Sequence, residues 1–283
     1  MPLVLDFPFS PVLFHLGPLA VHWYGLGYAV AFLVGISVAG SHLKARGLGE
    51  KDYANAAFWA ILAGLLGARL YYDVQNGAGY FLTHPQHVLA VWEGGMAYYG
   101  AVFAVLAFLF LYSWRRRLSF WLLADGAALF AAAGQPIGRI GNIFNGDVIG
   151  YPSNLPWAIA YTNPATLAPQ LGVGYQPAAL YELLVGLGIL AVLLAVRRRF
   201  QPKPGLLILL YLGLYAASQF GIFFLRANSL TAFGLKQAQL TSLVLLALLV
   251  PLALLWWRSR PPSGRSWLEM PSARPGFDHG HQT

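Results

Sequence analysis

The stretch Pro177-Ala178-Ala179-Leu180-Tyr181-Glu182-Leu183-Leu184-Val185-Gly186-Leu187-Gly188-Ile189-Leu190-Ala191-Val192-Leu193-Leu194-Ala195-Val196, closed by Arg197-Arg198-Arg199, decides the class of fold. About twenty residues at 1.5 Å each cross a hydrocarbon core about 30 Å thick, and this run holds a single carboxylate. The three arginines mark an end that stays in water. Working outward, comparable apolar stretches run from Leu19 to His42, Tyr53 to Gln75, Val88 to Tyr112, Phe120 to Ile143, Gly205 to Leu225 and Gln237 to Trp257. An outer-membrane barrel would show alternating segments of about ten residues instead, and none is present. The expectation is an all-α polytopic membrane protein with seven transmembrane helices and a small extracytoplasmic cap.

Composition supports that reading. Of 283 residues 58% are hydrophobic and 10% charged, against about 25% charged in soluble domains. There is no cysteine, which excludes thiol catalysis, disulfides and thiolate metal sites within this chain. The net charge of +8 is explained by where the cations stand. Lys44, Arg46 and Lys51 follow span one, and Arg115, Arg116 and Arg117 follow span three. Arg197, Arg198, Arg199 and Lys203 follow span five, and Arg258, Arg260, Arg265 and Arg274 follow span seven. These are 14 of the 18 cationic residues, and the other face keeps only Arg226 and Lys236. The positive-inside rule then places the N-terminus outside and the C-terminus inside a bacterial cytoplasmic membrane. The basic excess faces anionic headgroups, so membrane lipids are the partner and nucleic acid is not.

No Lys or Arg precedes Lys44, so a cleavable signal peptide is not expected. Residues 1–18, broken by four prolines, are expected to lie along or dip into the outer interface. Residues 1–260 form one membrane domain, with residues 144–176 as a periplasmic cap insertion carrying a short strand near Trp157 to Tyr161. Residues 261–283, rich in Pro, Ser, Gly and Arg, read as a disordered cytoplasmic tail. The chain has no sustained internal repeat, which weighs against an inverted-repeat transporter.

Ionisable and polar groups inside the spans carry the functional signal, because each is costly in lipid. Arg69 sits in span two and needs a carboxylate such as Glu93, Asp73 or Glu182, or contact with lipid. Asp125, early in span four near the inner face, suits a helix N-terminus or packing more than chemistry. The richest run is Gly138-Arg139-Ile140-Gly141-Asn142-Ile143-Phe144-Asn145-Gly146-Asp147-Val148-Ile149-Gly150. Arg139 and Asn142, three apart, share a helix face. Two readings stay open: a guanidinium site for phosphate, or a polar helix exit. A second cluster, Trp92-Glu93-Gly94-Gly95-Met96-Ala97-Tyr98-Tyr99-Gly100, permits a broken helix whose amides approach an anion. A third, His22-Trp23-Tyr24-Gly25, begins span one; Trp23 suits the aromatic belt. The seven histidines are scattered and form no metal set.

The Arg139 to Gly150 run resembles the signature of the prolipoprotein diacylglyceryl transferases, a Gly-Arg-x-Gly-Asn-hydrophobic-x-Asn-Gly-Glu pattern. His22-Trp23-Tyr24-Gly25-Leu26, Gly67-Ala68-Arg69-Leu70 and Glu93-Gly94-Gly95-Met96 resemble family motifs of spans one to three. Pro156-Trp157-Ala158-Ile159 resembles the cap, and Gln176-Pro177 with Leu180-Tyr181-Glu182 the start of span five. The resemblance implies an inner-membrane enzyme that moves a diacylglyceryl group from phosphatidylglycerol to the lipobox cysteine at a prolipoprotein signal peptide, releasing glycerol phosphate. No cofactor is implied. It also implies roles: Arg139, Asn142, Asn145, Gly94, Gly95, Arg69 and Glu182 toward substrate, and Tyr99, Asp147, Arg226 and Tyr24 in catalysis.

Three departures stand out. Tyr99 occupies the place of a family His, and Asp147 that of a Glu. The span-six pattern Arg-Phe-x-x-Glu-x-x-Arg reads Gln219-Phe220-Gly221-Ile222-Phe223-Phe224-Leu225-Arg226 here, so only its last Arg survives. The alternatives to an active transferase are a catalytically impaired phospholipid-binding paralogue and a lipid transporter.

Overall fold

The computed structural model describes residues 4–17, 19–88, 96–199 and 203–258, and within these leaves out the side chains of 19, 75–78, 80–82, 98, 99, 256 and 257. Glu93, Gly94, Gly95, the Tyr99 side chain and the tail from 259 onward therefore lie outside the described residues.

The described residues form seven α-helices: α1 (Trp23–Lys44), α2 (Glu50–Thr83), α3 (Tyr98–Arg116), α4 (Phe120–Asn145), α5 (Ala178–Val196), α6 (Leu206–Ile222) and α7 (Gln237–Arg258). Segments of five of them, in α1, α2, α4, α5 and α7, are long and apolar enough to cross a membrane. Helix α6, at 17 residues, is a shorter apolar helix. The protein is thus an all-α polytopic membrane protein. Large apolar side chains point outward, including Leu33, Phe110, Trp114, Leu184 and Leu248. Such a surface is stable only against lipid.

Two expected boundaries change. Span three was expected from Val88, but the chain there makes a 3-10 turn at Pro85–His87, and α3 begins at Tyr98. Pro85 stands at the first position of that turn, where its missing N–H costs nothing. Span two was expected to stop at Gln75, yet α2 continues to Thr83.

Small residues place α4 at the centre. Gly126, Ala128, Ala132, Ala133, Gly134, Gly138 and Gly141 are buried along it, which lets neighbouring membrane helices approach closely. A side chain at Gly141 would lie 2.8 Å from Tyr24 Cα, so this glycine is what seats α1 against α4. On the other side Ala124, Ala128, Leu129 and Ala132 of α4 pack with Ile189 and Leu193 of α5 and Leu207, Ile208 and Tyr211 of α6. Asp125, fully buried, accepts from Gly205 N at 2.8 Å and Ile208 N at 3.0 Å. It satisfies first-turn amides that α6 cannot pair internally. The helix-terminus role read for Asp125 holds, but for α6, not for its own helix.

Residues near the N-terminus, expected at the outer interface, are folded into strands. They form β1 (Leu5–Phe7), β2 (Val12–Leu16) and β3 (Leu19–His22), while the cap supplies β4 (Ile159–Tyr161) and β5 (Gly174–Tyr175). Strand β1 pairs parallel with β4, in register Leu5 to Ile159 and Phe7 to Tyr161, and β4 pairs antiparallel with β5. β2 and β3 form an antiparallel hairpin. Pro8 and Pro11 fall between strands, where a missing N–H costs nothing. Strand β4 lies inside the cap segment where a strand was expected. Trp23, read as a belt residue, stacks on Phe144 at 4.7 Å, and Phe7 packs edge-on against Phe144 and Tyr161. The N-terminal strand, the cap and the end of α4 are thereby locked together.

Candidate active site

Five side chains from three parts of the chain meet where α4 enters the cap. Helical spacing brings Arg139 Nη1 to Asn142 Oδ1 at 3.2 Å. Asn142 Nδ2 donates onward to both oxygens of Asp147 at 3.1 and 3.2 Å, just beyond the helix end at Gly146. From α5, the Glu182 carboxylate sits 2.6 Å from Arg139 Nη2 and accepts from Arg226 Nη1 at 3.0 Å. The Arg139 contact is a close ion pair without an aligned hydrogen bond. Glu182 is 2% exposed, and Arg139 and Arg226 are 23% and 15% exposed. A carboxylate so buried is tolerable only because two guanidiniums share it.

Arg226 lies beyond the end of α6 and is held by its backbone. Tyr151 N donates to Leu225 O at 2.9 Å. Lys236, itself buried, donates to the carbonyls of Phe223 and Arg226. Gly150 makes this approach possible, since a Cβ there would lie 2.3 Å from Leu225 O and 2.5 Å from Gln176 Cβ. The Phe223 ring lies 4.8 Å from the Arg226 guanidinium; an aromatic face thus meets the cation where the family pattern has Glu. Arg226 Nε is buried and has no hydrogen-bond partner among the described residues.

Beside Arg139 and Glu182 lies a small recess between α4, α5 and α6. Gln135, Tyr215, Ser218 and Gln219 line it with the two charged groups. Gln135 accepts from Tyr211 at 3.0 Å. Gln219 stands out in the sequence only as a departure from the span-six pattern. Gln135, Tyr215 and Ser218 were missed, although an uncharged amide such as Gln135 inside an apolar span was a usable signal. On the cap side Tyr24 donates to Tyr28 at 3.1 Å, and Tyr161 donates to Ile143 O at 3.0 Å. Burial, reinforced by Asp147, pushes the Tyr161 phenol up to about 12.

The structure therefore joins Arg139, Asn142, Asp147, Glu182 and Arg226. Asn145 contributes its carbonyl to Leu167 N at 2.8 Å, but among the described residues its side chain does not bond into this group. Arg69 is engaged on α2: its Nε lies 3.3 Å from Asp73, and it donates to the carbonyls of His87 and Val88 at 2.6 and 3.1 Å. Asp73 was among the partners read for it. The anionic partner of Arg139 within the structure is Glu182.

Fold and site together define a multi-pass membrane protein with a carboxylate-bridged pair of arginines at a polar recess. A family profile described as prolipoprotein diacylglyceryl transferase matches residues 11–257. A phosphatidylglycerol–prolipoprotein diacylglyceryl transferase of Thermosynechococcus vestitus is 36% identical over 236 residues, covering 82% of this chain and 87% of its own. Transferases of the same description from Bordetella avium and a Nostoc species are each 35% identical, covering 85% and 92% of this chain and 92% and 95% of theirs. The chain belongs to the prolipoprotein diacylglyceryl transferase family.

Proposed function

We propose that this chain transfers a diacylglyceryl group from phosphatidylglycerol to the lipobox cysteine of prolipoproteins, releasing glycerol phosphate, in lipoprotein maturation. The observation that carries the reading is the pair Arg139 and Arg226, converging on one carboxylate beside a polar recess. In the reaction a sulfur–carbon bond forms at the glyceryl carbon while the carbon–oxygen bond to phosphate breaks. The electron pair leaves on the phosphate oxygen, and the thiol proton passes to a base. Arg139 and Arg226 stabilise the charge that grows on that oxygen. Asn142 orients Arg139 and ties it to Asp147, which is exposed and stands as the acid/base on the thiol side. Tyr24 lines the same end of α4, and Tyr99 at the start of α3 is a further hydrogen-bonding candidate. Asn145, Arg69, Gly94 and Gly95 are assigned to substrate by family resemblance alone.

Gln219 and Phe223, where the family pattern carries Arg and Glu, favour a second reading: a phospholipid-binding paralogue without transfer. Purified protein given phosphatidylglycerol and a lipobox peptide should produce a peptide heavier by one diacylglyceryl group. Lipid binding with no adduct would select the second reading. We further propose an N-terminus outside and a C-terminus inside the cytoplasmic membrane. Terminal reporters protected on the same face would refute this orientation.

A further inference from the structure

We propose that Glu182 sets the charge of the arginine pair so that the centre holds a phosphate diester and releases a phosphate monoester; this rests on the transfer reaction proposed above. Two guanidiniums alone suffice to bind phosphate, yet this centre also holds a carboxylate that is 2% exposed and touches both of them. The consequence is electrostatic: Glu182 and the two cations that touch it leave one net positive charge. The buried Lys236 ammonium, engaged by the Phe223 and Arg226 carbonyls, adds a positive background that is the same with or without Glu182. Asp147 is exposed and reaches Arg139 only through Asn142, so water screens its contribution.

The reaction changes the charge of what this centre holds. The lipid phosphate is a diester with one negative charge. When its carbon–oxygen bond breaks, the leaving group becomes a monoester, and above a second pKa of about 6 it carries close to two. Attraction scales with the product of charges. A doubly positive centre would therefore gain most on the product and retain it. With Glu182 in place, the extra attraction for product over substrate is reduced by one unit of centre charge, and Glu182 also competes for the same N–H donors. The carboxylate is then a positioning and charge-setting residue that touches the arginines rather than the reacting atoms.

The test compares glycerophosphoglycerol, a diester, with glycerol phosphate, a monoester, as competitors of transfer at pH 8. In Glu182→Gln the preference for the monoester should rise at least tenfold over wild type. Glu182→Asp, which keeps the charge, should stay within threefold. Glu182→Gln should also show a burst of one adduct per enzyme followed by a slower steady rate. An unchanged preference, or an equal rise in Glu182→Asp, would overturn the proposal. Should Glu182→Gln not fold, the wild type still decides. A tenfold tighter hold on glycerol phosphate than on glycerophosphoglycerol would refute the charge-setting role, and comparable or weaker binding would support it. Failure of wild type to form any adduct would refute the transfer reading instead, while calorimetric binding of the same two compounds would still test the role of Glu182.

Discussion

Replacing Arg139 by lysine keeps a positive charge beside Glu182 but removes the planar fork. In the native site Nη2 serves Glu182 at 2.6 Å while Nη1 serves Asn142 at 3.2 Å. A lysine ammonium satisfies one of these directions, and Glu182, the buried charge, will claim it. Asn142 Oδ1 then loses its donor, at a cost of about 1–3 kcal/mol in stability. The larger effect falls on the reaction. Loss of one preorganised donor to a developing oxyanion costs about 10²–10³ in rate. Arg139→Lys should therefore lower kcat/KM about a hundredfold, or about 2.7 kcal/mol. Arg139→Ala should be little worse in rate but less stable by about 3–5 kcal/mol, because Glu182 keeps only Arg226. The assay is mass-detected lipobox-peptide adduct, alongside thermal unfolding in detergent to establish that each variant is folded. A folded Arg139→Lys within threefold of wild type would show that a point charge suffices and refute the fork argument.

Asp147→Asn should reduce turnover more than phosphatidylglycerol binding, since a base acts on the chemical step; equal loss of both in adduct and lipid-binding assays would make Asp147 structural. Asp125→Ala should cost about 3–5 kcal/mol of stability by removing two charge-assisted bonds to the start of α6, read as a lowered unfolding midpoint; an unchanged midpoint would refute the cap. Tyr161, raised to about 12 by burial, stabilises the fold fully below its unfolded value of about 10. That contribution is lost as pH rises from about 10 to 12, at up to about 1.4 kcal/mol per unit. Tyr161→Phe should flatten alkaline unfolding in that window, and an identical pH profile would exclude Tyr161 as its source.

The membrane class, the helix at Ala178–Val196 and the alternation of cations were legible in one dimension. In lipid each backbone group must pair within its own segment, so a long apolar run has one stable outcome. The Arg139–Asn142 contact was legible for a related reason, because helical geometry alone sets it three residues apart. The partner of Arg139 was not. Glu182 lies on another helix, and Arg226 stands 44 residues beyond it. They meet because small residues let α4 and α5 pack closely and Gly150 admits the chain after α6. Similarly, nothing local pairs Leu5 with Ile159 or joins Asp125 to the first turn of α6. Such contacts depend on which helices become neighbours, and that choice is made by packing between residues far apart in the chain.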